Sequence, residues 1–140
     1  MESEKIRKVL VFGSFDQLHP GHLYFLLEAK KHGNELIVVL ARENTIKEIK
    51  GKKPKYSEKE RKQHLEITGI PDKVILGHQK DKYSIIEKIN PDMICLGYDQ
   101  NSYTNHLKEE LKKRGLNPLL IRLKPYKSHI FKSSKLKSMS

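Results

Sequence analysis

The sequence has 140 residues, of which 36% are hydrophobic and 32% are charged, and it carries a single cysteine, Cys95. This length suits one domain with one core, and no apolar run approaches the roughly 20 residues that span a bilayer. The polar start at residues 1–5 lacks the apolar stretch of a secretory signal, and one cysteine cannot form an internal disulfide. These features exclude a disulfide-stabilised secreted domain and a membrane protein. They predict a single domain over residues 1–140, located in the cytoplasm.

The net charge of +11, from 28 lysines and arginines against 17 acidic residues, suits a partner rich in phosphate. A nucleotide and a nucleic acid both meet that description. Lysine far outnumbers arginine, however, and is spread along the whole chain, whereas proteins that read bases depend on arginine and clustered aromatic residues. The composition therefore favours a nucleotide over a nucleic acid as the main partner.

Strands and helices are predicted to alternate along the chain. Short apolar runs rich in β-branched residues predict strands at residues 9–12, 35–41, 73–76, 93–96 and 119–123. Helical spacing and capping residues predict helices that begin at Pro20 and Ser57 and others at residues 42–49, 83–89 and 105–114. Strictly alternating elements are typical of a parallel sheet. The predicted fold is α/β: a Rossmann-like, doubly wound parallel sheet of five strands.

The first strand and the first helix are joined by the most informative stretch of the chain. A tight turn at Gly13 and Ser14 follows the strand, and Pro20 suits the first turn of a helix because its missing N–H costs nothing there. His19 and His22 flank the helix start, where free backbone N–H groups and the positive end of the helix dipole gather. The sequence therefore predicts an anion site that contains two imidazoles.

Polar residues also follow the other predicted strands, at residues 41–44, 97–100 and 124–134. In open α/β sheets, ligands bind beyond the carboxyl ends of the strands, so these groups should converge on one pocket. The chain shows no Ser-His-Asp set and no zinc-ligand spacing. What remains is positive charge and hydrogen-bond donors, which suit phosphoryl-type transfer. We expect a substrate phosphate to attack the α-phosphorus of a nucleoside triphosphate, with pyrophosphate leaving.

The turn and the helix start also resemble a known motif. They match the G-[ST]-F-D-x-x-H-x-G-H signature of nucleotidyltransferases of the cytidylyltransferase-like group at Gly13-Ser14-Phe15-Asp16 and His19-Pro20-Gly21-His22. Residues 41–45, 50–54 and 97–100 are most similar to archaeal-type FAD synthases, and glycerol-phosphate cytidylyltransferases are more distant. The resemblance implies that ATP and FMN react to give FAD and pyrophosphate.

The resemblance also implies roles for individual residues. His19 and His22 are expected to be catalytic, hydrogen-bonding the triphosphate and stabilising the transition state. Further nucleotide contacts are implied at Gly13, Ser14, Phe15, Pro20, Gly21, Asp99, Tyr126, Ser133 and Ser134. Contacts with phosphate or with the second substrate are expected at Asp16, Arg42, Lys50, Lys53 and Lys127.

Several of these positions also have a structural interpretation. Asp99 suits a turn cap, Tyr126 suits core packing, and Arg42 suits a surface pair with Glu43 or Glu48. The basic segment, residues 50–55, reads either as a solvated loop or as a mobile flap that closes on triphosphate, and the resemblance favours the flap.

Departures from the glycerol-phosphate cytidylyltransferase pattern weaken the cytidylyl interpretation. Gly69 stands where those enzymes have an arginine, and Lys127 and Ile130 replace an arginine and a glycine. The alternatives are a cytidylyltransferase that uses CTP with glycerol phosphate or another small phosphorylated alcohol, and a non-catalytic binder of nucleotides or nucleic acid. No protein-held metal site is predicted, and a divalent cation such as Mg²⁺ should arrive with the triphosphate. Relatives are often dimers, so a homodimer stays open.

Overall fold

The computed structural model describes residues 6–77, 81, 83–97 and 101–124, without the side chains of residues 49 and 101–105. The strands are β1 (Lys8–Gly13), β2 (Glu35–Leu40), β3 (Lys73–Leu76), β4 (Met93–Leu96) and β5 (Leu119–Arg122). The helices are α1 (Pro20–Lys30), α2 (Glu43–Lys50), α3 (Glu58–Thr68), α4 (Ser84–Ile89) and α5 (Asn101–Lys113). As far as the described residues extend, none of these helices is long and apolar enough to cross a membrane.

All five strands form one parallel sheet in the order β3-β2-β1-β4-β5. The chain builds outward from β1 to β3 on one side, then returns to add β4 and β5 on the other. The predicted doubly wound, Rossmann-like parallel sheet is therefore confirmed. The winding reverses between β1 and β4, and in such sheets the crevice beyond the carboxyl ends of these two strands takes the ligand. The turn after β1 lies at that place.

The core has two parts, one on each side of the sheet. One side, here called the α1/α3 face, packs Leu26 of α1 and Leu65 of α3 against alternate residues of β1 and β2. The other, the α4/α5 face, packs Ile86 of α4 and Leu107 of α5 against the intervening residues. This alternation follows from the period of two along a strand, which sends successive side chains to opposite faces.

Element boundaries differ from the predicted ones by a few residues. β3 and β4 have the predicted bounds, whereas α5 begins at Asn101, four residues before the predicted start. In α1, Leu26 is buried, whereas the next residue, Leu27, is 50% exposed. Residues three apart, Leu26 and Ala29, face the sheet together, and Leu27 lies about 100° around the helix from Leu26.

Candidate active site at the switch point of the sheet

The turn after β1 is shaped by a close contact between Gly13 and Phe15. Phe15 is buried and has a φ of +46°, a left-handed conformation that costs an ordinary residue roughly 1–2 kcal/mol. A Cβ atom on Gly13 would lie 2.6 Å from Cε2 of the Phe15 ring, so no other residue fits at position 13 without moving that ring. Backbone strain held in place by packing is concentrated at functional loops. The turn, residues 13–16, is called the signature loop below.

His19 and His22 stack on each other at the start of α1. Their ring centroids are 3.8 Å apart with an angle of 27° between the planes, and the Phe15 ring meets His22 edge-on at 5.4 Å. Nδ1 of His19 accepts a hydrogen bond from the N–H of Gly21 at 3.1 Å, so in the neutral ring Nε2 carries the proton. A Cβ atom on Gly21 would lie 2.9 Å from Cε1 of His19. The glycine therefore leaves room for the imidazole that caps the helix.

The backbone N–H groups in the first turn of α1 are less available than the sequence suggests. Gly21 donates to the His19 side chain, and both His22 and Leu23 donate to the His19 carbonyl oxygen, at 2.9 and 3.2 Å. Pro20 has no N–H. The expectation of free N–H groups at this helix start is thus wrong, because His19 caps the helix with its own side chain and carbonyl. The two imidazoles and the helix dipole are what the site presents to an anion.

Asp16 fixes the end of the basic segment to the signature loop. Its carboxylate accepts hydrogen bonds from the backbone N–H of Lys55 at 2.6 Å and of Tyr56 at 2.9 Å. Both carboxylate oxygens are therefore engaged within the protein. The predicted contact between Asp16 and phosphate or substrate differs from this arrangement, in which Asp16 organises a neighbouring loop.

Lys50 brings the other end of the basic segment to the same loop. Its Nζ lies 3.3 Å from Oγ of Ser14, and Gly51 ends α2 in the left-handed conformation. The segment is thus held against the signature loop at both ends, through Ser14 and Asp16, while Lys53 is exposed. This arrangement brings together three of the predicted site residues, Ser14, Asp16 and Lys50.

Arg42 is occupied by protein groups. Its Nε donates to the carbonyl oxygen of Gly77 at 2.6 Å, and its Nη1 lies 3.5 Å from the Glu58 carboxylate. The backbone N–H of Glu43 donates to Glu58 at 2.8 Å, so the starts of α2 and α3 are tied together. The predicted surface partners, Glu43 and Glu48, are replaced by Glu58, since tertiary folding brings α3 next to Arg42.

Arg61 in α3 is the residue that sequence reasoning missed. It has no exposed surface, and it donates hydrogen bonds to three backbone carbonyl oxygens around the signature loop. Burial lowers the pKa of its guanidinium, and the negative charges of Asp16, Glu58 and Glu43 act in the opposite direction. One signal was available: Arg61 is four residues before Leu65 and therefore on the buried side of the helix.

Five further predicted residues lie outside the described part of the chain: Asp99, Tyr126, Lys127, Ser133 and Ser134. The described part still assembles imidazoles, a lysine amine and a serine hydroxyl beyond the end of β1. Within residues 6–77, 81, 83–97 and 101–124, no group of three or more His, Cys, Asp or Glu side chains could hold a metal ion. This chemistry suits binding and charge neutralisation of phosphates.

Comparison with known proteins identifies the family of this chain. Residues 10–138 match the cytidylyltransferase-like family. The chain is 41% identical over 138 residues to the FAD synthase of Thermococcus sibiricus, covering 97% of this chain and 93% of that protein. It is 44% identical over 119 residues to the FAD synthase of Aciduliprofundum boonei, covering 85% of this chain and 79% of that protein.

Solved structures share the fold. A lipopolysaccharide core biosynthesis protein from Thermoplasma volcanium superposes with a TM-score of 0.81 at 36% identity, covering 87% of this chain and 99% of that one. A pantoate-β-alanine ligase from Francisella tularensis superposes with a TM-score of 0.64 at 14% identity, covering 97% and 69%, and shows the fold alone. From the family match and the two synthases, this chain is a nucleotidyltransferase that belongs to the cytidylyltransferase-like family and stands among its FAD synthases.

Proposed function

We propose that this protein is an FAD synthase that transfers the AMP moiety of ATP to FMN. An oxygen of the FMN phosphate attacks the α-phosphorus of ATP, a new P–O bond forms, and the bond to the β-phosphate bridging oxygen breaks. Pyrophosphate leaves with the bonding electron pair. A phosphate monoester has its second pKa near 6, so at neutral pH the attacking oxygen is already ionised and no general base is needed. The enzyme has to supply alignment and charge.

The stacked histidine pair is the observation that carries this proposal. His19 caps α1 through Nδ1, which leaves its Nε2–H to donate to a phosphate oxygen, and His22 stacks 3.8 Å away at the same helix start. Ser14 and Lys50, 3.3 Å apart, add a hydroxyl and a cation beside them. Donors fixed before the substrate arrives stabilise charge that develops on the leaving pyrophosphate without further reorganisation.

A divalent cation fits this reaction as a companion of ATP. The described residues contain no cluster of three metal-ligating side chains, and both oxygens of Asp16 already accept backbone hydrogen bonds. Mg²⁺ commonly keeps several waters and binds through substrate phosphates. When bound, such an ion supplies charge neutralisation on the triphosphate, and Lys50 and the two histidines supply the protein's share.

The test is a comparison of four substrate pairs: ATP or CTP, each offered with FMN or with glycerol phosphate. Pyrophosphate release is measured, and the flavin product is separated by chromatography. We expect pyrophosphate and FAD in equal amounts from ATP and FMN. A variant in which His19 and His22 are both alanine controls for a contaminating activity. Pyrophosphate only from CTP and glycerol phosphate would overturn the proposal in favour of a cytidylyltransferase, and pyrophosphate from no pair would leave a non-catalytic binder.

A further inference from the structure

Arg61 lies where three segments of the site converge. Its Nη1 donates to the carbonyl oxygens of Ser14 at 2.9 Å and Ala41 at 2.8 Å, and its Nε donates to the carbonyl oxygen of Tyr56 at 3.2 Å. Ser14 belongs to the signature loop, Ala41 follows β2, and Tyr56 follows the basic segment. A single side chain thus joins the backbones of three loops that are distant in sequence.

This burial has a physical cost that a purely packing role does not explain. Among the described residues, Arg61 is the one charged residue whose side chain is buried. Removing a guanidinium from water costs free energy unless hydrogen bonds and opposite charges compensate. An apolar side chain at this position of α3 would fill the space without that cost. The planar guanidinium instead offers several donors at fixed angles, which can set the spacing between carbonyl groups.

The backbone of Tyr56 is held at both its N–H and its carbonyl group. Asp16 accepts the N–H of Tyr56 at 2.9 Å and that of Lys55 at 2.6 Å, while Arg61 donates to the Tyr56 carbonyl. At the other end of the basic segment, Lys50 contacts the hydroxyl of Ser14. The carbonyl oxygen of the same residue accepts a hydrogen bond from Arg61. The position of the basic segment over the signature loop therefore depends on Arg61 and Asp16 together.

We propose that Arg61 is a positioning residue for the triphosphate: it fixes the basic segment and the signature loop at one spacing, so that Lys50, His19 and His22 meet the phosphates together. The proposal rests on the function proposed above. Arg61 acts through the backbone and does not itself touch the substrate. Its replacement should therefore raise the KM for ATP and lower kcat, and leave the KM for FMN unchanged.

The experiment compares Arg61→Lys with Arg114→Lys in the full chain. Arg114 is a matched control because it also binds three groups, the carboxylates of Asp81, Glu87 and Glu110, but between α4 and α5. Lysine keeps the charge in both variants and loses the planar fork. The measurements are kcat, the KM for each substrate, and the melting temperature, with kinetics recorded well below melting.

We expect Arg61→Lys to lower kcat/KM for ATP on the order of 10-fold or more, the scale of a displaced catalytic group. Arg114→Lys should leave both parameters at their wild-type values. A fall in folded fraction alone lowers apparent kcat and does not move KM, so the KM for ATP separates positioning from mere stability. An unchanged KM for ATP in Arg61→Lys would overturn the proposal.

Asp16→Asn tests the shared contact with the Tyr56 backbone independently and serves as the test if Arg61→Lys fails to fold. This substitution weakens the hydrogen bonds from the N–H groups of Lys55 and Tyr56, and it should also raise the KM for ATP. Because both residues hold the backbone of Tyr56, the double variant should lose little more than the worse single variant. Fully multiplicative losses, or an unchanged KM for ATP in Asp16→Asn, would contradict the proposal.

Wild-type pyrophosphate release from ATP and FMN is measured first in the same assay. If the wild type forms no FAD, the proposed function fails. If the wild type is active and both variants match it, the function stands and the role of Arg61 is rejected.

Discussion

The two faces of the sheet use arginine in different ways. On the α1/α3 face, Arg61 is fully buried and donates to backbone carbonyl oxygens of Ser14, Ala41 and Tyr56. On the α4/α5 face, Arg114 is about a quarter exposed and pairs with the carboxylates of three acidic residues. The first arrangement fixes loop backbones, whereas the second joins the side chains of neighbouring helices.

This difference decides which loops at the carboxyl edge of the sheet can be held at a fixed spacing. Exposed ion pairs are screened by water and salt and contribute little, so the group around Arg114 can change without moving a loop. Even so, hydrogen bonds with Glu87, the largest cause, and with Asp81 and Glu110 raise the pKa of Arg114. Backbone positions held by a buried donor cannot shift so freely, because a lost bond leaves a buried polar group unsatisfied. The α1/α3 face is therefore the one able to hold loops at fixed spacing.

The largest expected effect comes from the histidine pair. His19→Ala and His22→Ala should each lower kcat by roughly 10²–10³-fold, or about 2.7–4 kcal/mol, the scale for losing one preorganised donor. Steady-state kinetics with ATP and FMN measure the effect. His32→Ala, just beyond α1, is the control and should keep full activity. Wild-type kcat in both site variants would remove these residues from the mechanism.

Ser57→Ala tests how far the start of α3 supports the site. Ser57 and Glu60 form a capping box, in which Oγ of Ser57 accepts the Glu60 N–H at 3.1 Å and Glu60 accepts the Ser57 N–H at 3.0 Å. Loss of such a cap costs about 1 kcal/mol. The free energy of unfolding should therefore fall. Because α3 carries Arg61, the KM for ATP should also rise.

The matched control for the cap is Ser84→Ala at the start of α4. Oγ of Ser84 donates to the carbonyl oxygen of Asp81 at 2.8 Å, so this variant also removes one bond between a serine hydroxyl and the backbone near a helix start, on the opposite face. Urea unfolding and ATP kinetics are recorded for both variants. Equal KM values for ATP in the two variants would show that the faces do not differ in the way described.

Ile86→Val probes packing on the α4/α5 face. Ile86 is fully buried, and removing one methylene from such a site costs roughly 0.5–1.5 kcal/mol of unfolding free energy. Because α4 does not touch the signature loop through any described hydrogen bond, kcat and the KM for ATP should stay unchanged. A raised KM for ATP here would mean that both faces control the site.

The effect of Cys95 in β4 is confined to alkaline pH. Burial raises the pKa of its thiol from 9.0 to about 11. In the unfolded chain the thiol ionises near 9.0, so its contribution to stability is complete below that pH and is lost as the pH rises towards 11. Unfolding free energy measured across that window should fall more steeply for the wild type than for Cys95→Ala. Identical slopes would contradict the assignment.

Much of the fold was predictable because the apolar runs are short and clearly bounded. The runs at β3 and β4 are bounded by glycine, proline and aspartate, and their bounds match the prediction. The start of α5 was missed by four residues, because Asn101, Ser102, Thr104 and Asn105 all suit an N-cap and no apolar period singles one of them out. The motif at His19 and His22 also predicted a candidate site at the carboxyl end of β1.

Contacts between distant segments were not predictable. Asp16 was predicted to contact phosphate or substrate, but its carboxylate accepts hydrogen bonds from the N–H groups of Lys55 and Tyr56. Arg42 reads as a surface side chain and instead contacts Gly77 and Glu58. Such pairings join residues 15 or more positions apart, and local spacing carries no information about them.

The sequence by itself determined the alternation of strands and helices, the turn at Gly13 and the two imidazoles at the start of α1, because each depends on neighbouring residues. Only the tertiary structure decided that Arg61 would be enclosed with three loop carbonyls around it. The physical reason is that a charge becomes buried only when segments far apart in the chain close over it together, and no short stretch encodes that meeting.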